Sequence, residues 1–203
     1  MDLVRDTLIE RPDAVFITAA GDPYQASEWR PAGSCIELDL SKFPNGRWAL
    51  QLDDAFARRS APAVILAHGV ACLAVAWWAQ LSPRSYLRSV QGAVFRSPLH
   101  VGFGQAPIAA SASTGPTQTL PFASIVASEV TPYVEQVLAL ADRWGSRFVD
   151  IGAPGASHPS NRSAIGTDQE QALLQYVDLL DRNIANEPAR SAIPTIAMLH
   201  PHG

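Results

Sequence analysis

The chain has 203 residues, enough for one domain around a single apolar core. Apolar residues make up 47% and charged residues 17%, a mix that excludes a disordered or collagen-like chain. Net charge is −4, and Lys42 is the one lysine beside fourteen scattered arginines, so the basic stripe that nucleic acid requires is missing.

No run approaches the roughly 18 apolar residues that span a bilayer. The charge-rich start (Asp2, Arg5, Asp6, Glu10, Arg11) lacks the apolar stretch of a signal peptide. The chain therefore reads as soluble and cytoplasmic, with neither membrane nor nucleic acid as a partner. Cys35 and Cys72 lie far apart in sequence, support neither a disulfide framework nor a zinc site, and read as small buried hydrophobes.

Ala14-Val15-Phe16-Ile17-Thr18 predicts a buried strand that runs into the loop-forming Ala19-Ala20-Gly21-Asp22-Pro23. Cys35-Ile36-Glu37-Leu38-Asp39 is a weaker second strand. Trp48, Leu50, Leu52, Phe56 and Ala57 fall near helical spacing and predict a helix over 47–59. Ala63-Val64-Ile65-Leu66-Ala67 is the clearest strand, leading through His68-Gly69 into an almost wholly apolar helix from Val70 to Leu81. Strands follow at 90–95 and 123–127, separated by a Ser-, Thr-, Pro- and Gly-rich surface connection over 104–121. Tyr133 to Trp144 predicts a helix with Val134, Val137, Leu138 and Ala141 on one face. A sixth strand covers 148–152. A last helix over 167–183 opens with Thr167 and Glu170 at the spacing of a capping box.

Apolar strands separated by helices predict an α/β fold with a mostly parallel sheet of five or six strands, covered on both faces. One domain over 1–184 is expected, with a Pro-containing tail over 185–203.

Ala67-His68-Gly69-Val70-Ala71 joins a buried strand to a buried helix, the place where an α/β-hydrolase puts its nucleophile between small residues. Ala67 and Ala71 suit so sharp a turn; the central residue is glycine. This segment and its following helix resemble the His-Ser-Leu-Gly-Cys region of the small serine hydrolases grouped with retinoblastoma-binding protein nine. Gly21 followed by Trp29, Trp48 within Pro44-Asn45-Gly46-Arg47-Trp48, Ala127 to Tyr133, and Trp144-Gly145 to Gly155 extend the resemblance over about 13–182. It implies a compact α/β-hydrolase fold without a large cap domain.

The resemblance puts the family's nucleophilic serine on Gly69, its aspartate on Thr131 and its histidine on Ala156. None of the three can serve in a triad. What remains is a frame. The amide of Val70, with that of Gly21 or Asp22, can form a nook for an anionic or carbonyl-bearing group. The candidate ligand-binding residues are thus Gly21, Asp22, His68, Gly69 and Val70. His158 and Glu129, each two residues from a lost position, are possible substitutes as an acid–base dyad; two solvated loop residues are the plainer alternative.

Cys72 reads as a buried structural thiol, His68 as a packing or hydrogen-bonding residue under the turn, and Ser128 and Ser157 as loop serines. His200 and His202 are too few for a metal site. Trp77-Trp78 reads as core. The expected protein has lost hydrolase activity and binds a small ligand or protein partner, with no cofactor. An active hydrolase with a displaced constellation and a non-hydrolytic enzyme built on His158 are the alternatives.

Overall fold

A computed structural model describes residues 13–22, 34–101, 118–128, 133–151 and 173–177. Six strands form one sheet: β1 (Asp13–Ala19), β2 (Ser34–Leu38), β3 (Ala63–His68), β4 (Val90–Arg96), β5 (Ala123–Ser128) and β6 (Arg147–Asp150). Their order is β2-β1-β3-β4-β5-β6, and every pairing is parallel. All six fall where the apolar runs predict them. Among the described residues three α-helices connect them: α1 (Arg47–Ala57), α2 (Val70–Leu81) and α3 (Val134–Trp144).

Alternation along the strands divides the core in two. Val15, Ile17, Ala63, Ile65, Ala67, Ala93 and Phe95 face α1, α2 and α3. Phe16, Val64, Leu66, Val94 and Ile125 face the other way and pack with Leu173 and Val177, from a helical stretch at 173–177. That stretch lies close over β4. A Cβ on Gly92 would come 2.9 Å from the Ala123 carbonyl oxygen and 3.0 Å from a Leu173 methyl carbon. Only a residue without a side chain fits there.

Two helix faces differ from expectation. In α1, Trp48, Leu52 and Phe56 are buried, whereas Leu50 and Ala57 are exposed. An i, i+4 row wins because Leu50 stands about 200° round the axis from Trp48. Trp48 also stacks on Phe43 at 5.1 Å and donates its indole N–H to the Phe43 carbonyl, which fixes the start of the helix. In α3 the buried row is Val137, Leu140, Ala141 and Trp144, and Leu138 turns outward. Trp144 packs against Phe95 with ring centroids 4.9 Å apart and draws that end of the helix onto the sheet.

α2 is buried on nearly every side between the sheet and α1. Trp78 is the fully buried member of the tryptophan pair, set against Phe56 and donating its indole N–H to Asp53 Oδ1 at 2.8 Å. No helix among the described residues is long and apolar enough to cross a membrane. The predicted capping box of the last helix and the terminal tail lie outside the described residues, as does most of the 104–121 connection.

Candidate functional site

β1 feeds β2 on one side, while β3 and its successors extend the sheet on the other. The connections after β1 and β3 thus diverge at the C-terminal edge of the sheet, a position where open α/β sheets form ligand crevices. The candidate residues Gly21, Asp22, His68, Gly69 and Val70 gather there.

β3 is buried along its whole length and ends at His68. Gly69 then turns the chain into α2 with φ 56° and ψ −136°. A positive φ favours a residue without Cβ. The turn is pinned from both sides: the Gly69 N–H donates to the Arg96 carbonyl at 3.0 Å, and the Gly69 carbonyl accepts the Cys72 N–H at 3.1 Å. Ala67 and Ala71, the small flanking residues, are fully buried. Val70 opens α2, where the first N–H groups of a helix have no partner within it.

The Asp22 amide is committed to a turn, donating to the Ala19 carbonyl at 3.0 Å. The same turn carries the Asp22 side chain to His68, whose Nδ1 lies 2.9 Å from Asp22 Oδ2. Both side chains are buried, at 2% and 3% exposure. An ionised carboxylate only accepts hydrogen bonds, so with Asp22 ionised the contact requires the tautomer that carries its proton on Nδ1. It becomes an ion pair when His68 is protonated.

Sequence reasoning placed His68 under the turn, where it stands, but missed the Asp22 carboxylate as its partner. The available signal was that both residues end or follow buried strands. Only the β1–β3 adjacency, with Ile17 paired to Ala67, shows that they meet. His100 was also missed. Its ring centroid is 5.9 Å from that of His68, and its carbonyl faces Gly69.

Cys72 is fully buried, with Sγ 3.5 Å from the Arg96 carbonyl oxygen. Burial, reinforced by the negative charge of Asp22, pushes its thiol well above the ordinary range. It is a thiol at neutral pH, not a nucleophile. Cys35 departs from expectation: it lies on the edge strand β2 and is exposed. Ser128 is likewise no loop residue. It ends β5, is buried, and its carbonyl accepts the Ile151 N–H. Thr131, Ala156, His158, Glu129, Ser157, His200 and His202 lie outside the described residues. Among the described residues no group of three His, Cys, Asp or Glu side chains is placed to hold a metal ion.

Three comparisons bear on this geometry. A family model described as serine hydrolase matches residues 32–172. The fold is similar to the crystal structure of a YdeN-like hydrolase from Pectobacterium atrosepticum, at 15% identity and a TM-score of 0.52, over 84% of this chain and 92% of that one. No curated protein matches the sequence. The structural likeness carries the compact α/β architecture.

Proposed function

This chain belongs to the serine hydrolase family, and from that premise we propose that it has given up acyl transfer and works as a binding protein. Within the family, our reading groups it with the small hydrolases that resemble retinoblastoma-binding protein nine, on the sequence motifs given above. The observation that carries the reading is Gly69. At the turn from β3 into α2, where the resemblance puts the attacking serine, the chain bends with positive φ around a residue with no side chain. Loss of the serine alone removes on the order of a million-fold in turnover in a well-studied serine protease. The correspondence of Thr131 and Ala156 with the family's aspartate and histidine adds to the same reading. The protein would be a cytoplasmic one, and its ligand or partner would meet the C-terminal edge of the sheet beside Gly21, Asp22, His68, Gly69 and Val70.

The experiment is labelling of the purified wild-type protein with a fluorophosphonate, which reacts with activated serines. No labelling is expected. Stoichiometric labelling at a mapped serine would overturn the proposal. Gly69→Ser is expected to leave 4-nitrophenyl acetate turnover at background, because restoring the hydroxyl alone supplies no base. Appreciable turnover in that variant would reveal a base already in place.

A further inference from the structure

β2 is an outer strand of the sheet, and its far side meets no other strand among the described residues. Such an edge offers N–H and C=O groups to any further strand, a hazard that natural proteins manage. The register fixes which groups those are. Leu38 pairs with Ala19, and its carbonyl turns inward to accept the Ala20 N–H at 2.9 Å. Main-chain groups alternate between the two sides of a strand. Cys35, Glu37 and, just beyond the strand, Asp39 therefore present theirs outward.

One of these outward positions is already taken, from a helix. Gln51 lies on α1, which packs against β2. Its Oε1 accepts the Asp39 N–H at 3.3 Å, and its Nε2 donates to the Glu37 carbonyl at 3.4 Å. A neighbouring parallel strand makes the same two bonds with a single residue. That residue donates to the carbonyl before Leu38 and accepts from the N–H after it. A carboxamide, with donor and acceptor side by side, reproduces it.

We propose that Gln51 is an edge guard: by standing in for one residue of a further strand, it keeps the outer edge of β2 from pairing with a second copy of this chain. Every copy carries the same edge, and strand addition draws its affinity from main-chain bonds. Antiparallel pairing centred on Cys35 would set the two exposed Cys35 residues opposite each other and hold the two Glu37 carboxylates apart. That pairing needs the Glu37 carbonyl, which Gln51 occupies. Both guard bonds are exposed and long, so each adds little to stability; their effect is to exclude. The guard does not depend on what the Gly69 turn binds.

Cys35 reports on the edge, because Cys72, the second cysteine of the chain, is buried. Full-length wild-type protein and Gln51→Ala are treated at equal concentration with a short bis-maleimide, and dimer linked through Cys35 is quantified. Alanine is a strong helix former, so α1 should persist. The variant is expected to raise the linked yield roughly fivefold or more, since each copy gains a hydrogen bond at the Glu37 carbonyl. Cys35→Ser in the same background should abolish it. Amide hydrogen exchange in dilute wild-type protein, corrected for intrinsic rates, decides even if the variant does not fold. The Asp39 N–H, bonded to Gln51, should exchange roughly threefold or more slowly than the outward Glu37 N–H. A linked yield no higher than that of wild type, or an Asp39 amide no better protected than that of Glu37, would overturn the proposal.

Discussion

Gly69 is constrained twice, by its positive φ and by the two oxygens beside its missing side chain. Gly69→Ala should therefore cost about 1–3 kcal/mol, the usual range for a side-chain residue held in such a conformation. Urea denaturation would show the midpoint falling at unchanged slope. Cys72 gives a pH-dependent counterpart. Its thiol is raised in the folded state, so above the ordinary thiol range the unfolded chain loses a proton that the folded one keeps. That part of the stability is complete below the unfolded thiol's pKa and declines as pH rises, by up to about 1.4 kcal/mol per pH unit. Cys72→Ala should flatten this alkaline slope in melts taken across the range. Gly69 and His68 were legible in the sequence because the strand–turn–helix signal is local. The Asp22 carboxylate was not, because its meeting with His68 depends on which strands become neighbours.

Among the connecting elements, α2 was the easiest to read, since continuous apolar character leaves no face to choose. The amphipathic helices were harder. Both α1 and α3 were located, but their buried rows were settled by tertiary partners: Phe43 beneath Trp48, and Phe95 against Trp144. The exposed Cys35 shows the same limit, because its apolar run gave no hint that β2 is an edge strand. Gly92 offers a direct test of how the 173–177 stretch sits on the sheet. Gly92→Val must push back both the β5 backbone and Leu173, and overpacking of this kind costs about 1–3 kcal/mol or more. The fitting readout is the melting temperature together with increased proteolysis within 173–177. A variant as stable as wild type would mean that this contact is loose.

Across the molecule, protection should follow position in the sheet. β3 is buried at every residue and flanked by β1 and β4, while the outer strands β2 and β6 are largely exposed or half-buried. Hydrogen exchange measured by mass spectrometry is expected to be slowest in β3 and β4 and fastest in β2 and β6. The parallel α/β architecture could be anticipated from alternating apolar runs and helices, but the strand order could not, since no local pattern states that β3 skips past β2 to lie beside β1. The second core has a consequence for synthesis. Phe16, Val64, Leu66 and Val94 all leave the ribosome before Leu173 and Val177, the residues that pack with them. Until they emerge, a nascent chain carries this greasy surface uncovered, a natural opening for a chaperone.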